Sequence, residues 1–299
     1  MKSNALAAAL ALAALLAAGC SRTETAAPTA AAPAPKAPDR YAIKGEIVSV
    51  DVAKRVLAVK HEEIKGYMPA MTMEFLVSAG DAAVAKPGQH IRAEMIPSKD
   101  GDFRLEKIWP DEAAAAAAVD ASARALREDT RTRGKGAYRE IGESMPDFTL
   151  YDQEGRVVTS GRFRGKQIML NFIFSRCPVA TMCPASTAKM MESQKLAREQ
   201  GVPNIEFVSI TLDPTYDTPG VLKEYAAVRG IDTSNFSFLT GPEAAIRDLL
   251  TQFGVIAEFK GDLLTHTLST LLIGEDGKII HRFDGSNWVP GEFVAKMRK

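Results

Sequence analysis

The chain has 299 residues, 46% hydrophobic and 25% charged, and its 37 basic and 37 acidic side chains leave no net charge. That describes a globular chain long enough for two domains. The even balance gives no electrostatic reason to expect nucleic acid as a partner.

Residues 1–20 carry Lys2, an Ala/Leu run from Ala5 to Ala18, and Gly19-Cys20. An apolar run this short reads as the core of a signal peptide rather than a spanning helix. The stretch Leu16-Ala-Ala-Gly-Cys20-Ser21 resembles a bacterial lipoprotein lipobox, with Ala17 where Leu is more usual. The resemblance implies that Cys20 is lipidated, so the expected product is a membrane-anchored lipoprotein facing the periplasm or another extracytoplasmic space. Two cysteines then remain, a possible pair in an oxidising compartment. Residues 21–40 are rich in Ala, Pro and Thr and read as a linker.

From Tyr41 the pattern changes to five short strand-like runs, 42–50, 54–61, 72–77, 90–96 and 102–108, separated by turn signals such as Lys86-Pro-Gly88. Five such runs predict a small antiparallel barrel over 41–110. Between the second and third runs stand His61 and the cluster Met68, Met71 and Met73. Thioethers with an imidazole suit Cu(I) or Ag(I), and alternation puts Met71 and Met73 on one strand face. Methionine as flexible core filler is the competing reading. His61 followed by Pro69-Ala-Met71-Thr-Met73 resembles the Cus-type periplasmic copper-binding domain, a five-stranded barrel of the OB type. The resemblance implies His61, Met71 and Met73 as ligands. Where that family has a capping Trp, this sequence has Met68 beside Tyr67, which makes Met68 a candidate fourth ligand.

Residues 111–136 begin with strong helix formers and end in the polar run Glu128 to Gly136, which predicts a helical spacer and a flexible hinge.

The second domain is expected over 137–299. A hairpin (148–151 and 156–159) precedes the apolar run Ile168–Phe174, which suits a strand buried on both faces. Then come Cys177 and Cys183, with Pro184 opening a helix. Cys183 at that helix start would have its thiol pKa depressed by the dipole. Runs at 205–212, 236–239, 267–273 and 278–283 read as further strands, and Pro219, Pro242 and Pro290 open helices, an α/β order with the sheet covered on both faces.

Cys177 and Cys183 in this order of elements resemble the thioredoxin-like superfamily. Phe174-Ser-Arg-Cys177-Pro, Cys183-Pro, Val208-Ser-Ile-Thr-Leu-Asp213-Pro with Asp217-Thr-Pro219, and Leu264-Thr-His266-Thr are together similar to the Sco/SenC family. That family handles copper for the dinuclear copper centre of cytochrome c oxidase. The resemblance implies copper held by Cys177, Cys183 and His266, with Asp213 supporting them, and a copper-bearing oxidase subunit or another copper acceptor as partner. Two thiolates and an imidazole suit Cu(I) and tolerate Cu(II). Five residues separate the cysteines here, where the family usually has three. Two other functions use the same residues: a thiol-disulfide reductase for copper-site cysteines, which needs Cys177 and Cys183 as a redox pair but not His266, and a copper-buffering or resistance protein with no oxidase partner. A purely structural disulfide is the bland alternative.

Overall fold

In the computed structural model, which describes residues 39–98, 100–260 and 263–297, the alternating runs after Tyr41 become five strands. These are β1 (Tyr41–Asp51), β2 (Val56–His61), β3 (Met71–Leu76), β4 (His90–Pro97) and β5 (Phe103–Pro110). They close in the order β1-β2-β3-β5-β4; the closing contact between β3 and β5 is a single parallel pair, Leu76 with Arg104, so the barrel is not wholly antiparallel as expected. A register shift between Ile47 and Ser49 bends β1, so that its first half pairs with β4 and its second with β2. Ile47, Leu57, Val59, Phe75 and Met95 fill the interior.

A short helix, α1 (Ala79–Val84), joins β3 to β4. The Ser78 hydroxyl accepts the Asp81 N–H at 3.0 Å and donates to Asp81 Oδ2 at 2.7 Å. This Ser-x-x-Asp start satisfies an amide that the helix leaves without an internal partner.

The helix formers after the barrel build α2 (Ala113–Arg133). Contrary to the hinge expected from Glu128, the helix continues to Arg133 and stops at Gly134, whose φ is 91°. Side-chain anchors account for the difference. Leu126 is buried in the core of the second domain, Arg127 pairs with Asp248 at 3.2 Å and Arg133 with Glu143 at 2.9 Å. At the other end Val119 is buried with Trp109 of β5 and Tyr151 of the following domain.

The second sheet has seven strands in the order β14-β13-β8-β9-β10-β6-β7. They are β6 (Thr149–Asp152), β7 (Val157–Thr159), β8 (Gln167–Ile173), β9 (Ile205–Thr211), β10 (Phe236–Thr240), β13 (Ser269–Ile273) and β14 (Ile279–Asp284), and a separate hairpin is formed by β11 (Ala257–Lys260) and β12 (Leu263–His266). β8, β9 and β10 run parallel, while β13 and β6 flank them antiparallel. Every residue of β8, β9, β10 and β13 is buried, as near-continuous apolar runs require when helices cover both faces. Those helices include α3 (Cys183–Glu199), α4 (Pro219–Val228), α5 (Glu243–Gln252) and α6 (Pro290–Lys296). The architecture is an OB-type barrel followed by a thioredoxin-like α/β domain.

The barrel and the second sheet belong to one compact unit, joined where α1 meets α4 backbone to backbone. A Cβ on Gly80 would lie 1.9 Å from the Gly220 carbonyl oxygen, and one on Gly220 would lie 2.0 Å from Asp81 Oδ1. The Gly80 N–H donates to Glu224 Oε2 at 3.3 Å. Only two glycines permit so close a crossing.

Candidate metal centre

The end of β8 delivers the chain into a loop that returns as α3, and both cysteines belong to this turn. Helix α3 begins at Cys183 itself, with Met182 at the N-cap and Pro184 in the first turn, one residue earlier than Pro184 alone suggests. Cys183 is fully buried, and Cys177 is half-buried against the same core. His266 arrives from far along the chain as the last residue of β12. One donor atom from each of Cys177, Cys183 and His266 lies within 4.8 Å of the other two.

His266 is oriented by its own backbone. Its Nδ1 stands 3.1 Å from the Thr267 carbonyl. A carbonyl only accepts, so Nδ1 carries the proton and Nε2 is left with its lone pair. Nε2 is 3.7 Å from Cys183 Sγ. The Phe174 ring meets the imidazole edge to face at 5.4 Å, and burial lowers the His266 pKa, so the neutral form is favoured. A neutral imidazole and two sulfurs form a three-coordinate soft donor set.

The Cys183 thiol does not follow the helix-dipole expectation. Burial pushes its pKa up, and the neighbouring Cys177 adds to the rise. A dipole of about half a charge at the helix end does not offset loss of water around a fully buried sulfur. A metal entering here must therefore displace a proton from Cys183.

Two buried carboxylates from the segment after β9 fix the residues just before Cys177. Asp213 accepts Arg176 Nε at 2.7 Å and the Thr215 hydroxyl at 3.0 Å. Asp217 accepts the Ser175 N–H at 3.1 Å, the Ser175 hydroxyl, and the Thr211 hydroxyl at 2.6 Å. Burial pushes the Asp217 pKa up to about 6. Sequence reading assigned a supporting role to Asp213 and quoted Asp217 only within the family pattern, without a role.

In the barrel, the β2–β3 register pairs Leu57 with Phe75, Val59 with Met73 and His61 with Met71. These pairs share the inward face, and exposure rises along it from Phe75 at 1% to Met71 at 47%. His61, Met71 and Met73 are thus brought to one end of the barrel, while Met68 packs against the barrel core from the intervening loop. Tyr67 packs on Tyr41 with ring centroids 4.3 Å apart and the planes tilted by 38°. His61 Nδ1 donates to the Glu62 carbonyl at 2.6 Å, and its Nε2 is buried with no hydrogen-bond partner among the described residues. A buried imidazole nitrogen with a lone pair and no donor is what a metal ligand requires and what a structural histidine avoids. Cys20 lies outside the described residues.

A thioredoxin-like sheet with two cysteines and a distant histidine gathered beside its central strand defines a class of soft-metal or redox domain. The SCO1/SenC family model matches residues 137–299, more than half of the chain, and the chain belongs to that family. A second family model, described as copper binding periplasmic protein CusF, matches residues 40–110. The SCO1 protein homolog of Bacillus subtilis is 31% identical over 154 residues, which cover 50% of this chain and 78% of that protein. A SCO2-like protein of Rickettsia conorii is 35% identical over 144 residues, covering 46% and 67%. Among solved structures, a SCO1/SenC family lipoprotein from Bacillus anthracis is 28% identical, with coverage of 54% of this chain and 97% of that one and a TM-score of 0.49. BsSco, a member of the Sco family of cytochrome c oxidase assembly proteins, is 28% identical, with coverage of 52% and 93% and a TM-score of 0.47.

Proposed function

We propose that this protein binds copper outside the cytoplasm through Cys177, Cys183 and His266 and delivers it for assembly of the dinuclear copper centre of cytochrome c oxidase. The observation that carries the reading is the convergence of the three donor atoms within 4.8 Å of one another. Membership of the SCO1/SenC family supports it, as does a relative whose family is described as assembling cytochrome c oxidase. Anchoring through a lipidated Cys20 keeps the protein at the membrane surface, where an oxidase subunit would meet it.

The barrel serves as a second soft-metal site, with His61, Met71 and Met73 as ligands and Met68 available as a fourth. Thioethers stay unprotonated and do not form disulfides, so this site holds Cu(I) whether the cysteines are reduced or oxidised. The His61–Met71 pair closes one end of the β2–β3 hairpin, and α1 leaves from the other end of β3, about 17 Å of strand away. The barrel therefore meets the second domain with its α1 end. Copper passes between the two sites when the α1–α4 contact opens, or between two chains.

In the reductase reading half-buried Cys177 attacks and buried Cys183 resolves, and the five residues between them argue less for fast exchange than a closer pair would. A competitive Cu(I) titration of the reduced chain, with Cys177→Ser and His266→Ala beside it, tests the assignment. Two equivalents are expected, the tighter one lost in both variants. Retention of both equivalents by His266→Ala would make the second domain a dithiol oxidoreductase instead.

A further inference from the structure

Beside the α1–α4 contact the barrel and the thioredoxin-like domain leave a cleft of about 570 Å³. The barrel wall is cationic, with Arg40, Arg55, Arg104 and Lys107, and the opposite wall carries Arg176 of the cysteine loop together with Glu224. All five cations are exposed. Three carboxylates share these walls with the five cations. Glu106 is held by Arg40 at 2.9 Å, Glu224 accepts the Gly80 N–H, and Asp81 is buried against Ser78. Lys107 is paired with Glu94 at 2.8 Å and Arg176 with Asp213 at 2.7 Å. Arg55 and Arg104 have no carboxylate partner among the described residues.

The chain as a whole is neutral, so this surplus is local and confers no general attraction for anions. Its position is specific. Arg176 directly precedes Cys177 and lies 4.7 Å over the exposed ring of Tyr216, so one end of the cleft is the metal-binding loop. We propose that the cleft docks an acidic segment of the protein that exchanges copper with Cys177, Cys183 and His266, its carboxylates resting on Arg55 and Arg104 and its end reaching Arg176 and Tyr216.

The proposal rests on the copper-carrier reading and adds the chemistry of the partner. The guanidinium fork binds carboxylates bidentately, and tyrosine beside arginine is the composition of interface anchors. Complementary charge would speed encounter and set the register of the acceptor's ligands against the cysteine loop. Four of the five cations belong to the barrel, so the docked barrel supplies most of a surface that the thioredoxin-like domain alone would lack.

Fluorescence anisotropy of a labelled oligoglutamate peptide with the full reduced chain tests this. Saturable binding that weakens as salt is raised is expected, with affinity falling about tenfold or more in Arg55→Glu/Arg104→Glu. The charge-matched control Arg131→Glu/Lys195→Glu, exposed elsewhere, should stay within about twofold. Equal loss in the control, or no loss in the cleft variant, overturns the proposal. Equally tight binding of a single-stranded oligonucleotide also overturns it, because the cleft would then select charge alone. A Cu(I) titration of the same variants separates the two readings. Peptide binding with no copper at the cysteines removes the copper-carrier function but leaves an acidic-segment surface; copper binding with no peptide binding removes only the surface.

Discussion

His266 Nε2 stands 3.7 Å from Cys183 Sγ while the opposite ring nitrogen is committed to the Thr267 carbonyl at 3.1 Å. The imidazole is therefore aimed at the buried sulfur before any metal arrives. Cys177, half-buried on the outer side, completes the set.

That asymmetry predicts an order of reaction. Iodoacetamide on the reduced apoprotein should alkylate Cys177 well before Cys183, because Cys183 is buried and its thiol pKa is raised. One equivalent of Cu(I) should protect both. Mass spectrometry of digested samples reads the order, and simultaneous labelling would contradict the buried position of Cys183.

Asp217 makes stability depend on pH in a defined direction. Its carboxyl is raised by burial from 3.8 to about 6, so the folded chain binds the proton more tightly than the unfolded one. Its contribution is fully present below about pH 4 and is lost as pH rises through about 6. Relative to Asp217→Asn, the wild type should lose about 2–3 kcal/mol of stability across that interval. Urea unfolding of both proteins at a series of pH values checks it; parallel pH profiles would place the group's pKa elsewhere.

The glycine crossing gives a structural test. In Gly220→Val, the added Cβ would fall 2.0 Å from Asp81 Oδ1, and α1 and α4 must separate. A loss of about 1–3 kcal/mol is expected, with a larger radius of gyration in small-angle scattering. If copper passes between the two sites of one chain after release of this contact, the same variant should transfer it faster at low protein concentration. Unchanged scattering would mean that the interface absorbs the side chain.

His61 distinguishes a ligand from a structural histidine. Its Nε2 is buried and lacks a partner among the described residues, and such a group costs about 1–3 kcal/mol in the apoprotein. His61→Leu should abolish Ag(I) binding at the barrel and leave apoprotein stability equal or higher. Calorimetric titration and thermal unfolding read the two effects. A large drop in melting temperature would assign His61 to the core.

Much of this was legible in the sequence because the signals were local. Alternation gave the barrel strands, the nearly all-apolar run after Gln167 gave the central strand, and Pro184, Pro219 and Pro290 gave helix starts. The hairpin that carries His266 was missed, since β11 and β12 are four residues each. Helix α1 was missed for the same reason, although Ser78-x-x-Asp81 announced its cap. The raised Cys183 pKa was not legible at all. It depends on which residues gather around the sulfur, and these, Phe174, Cys177, Asp217 and His266, are brought together only by the fold.

X-ray absorption at the copper edge, on reduced protein carrying one equivalent of Cu(I), addresses the central claim most directly. Two sulfur neighbours and one nitrogen are expected from the Cys177, Cys183 and His266 set, with the nitrogen lost in His266→Ala and the spectrum unchanged in His61→Leu. A first shell that survives His266→Ala and changes with His61→Leu would place the tight copper in the barrel and contradict the assignment.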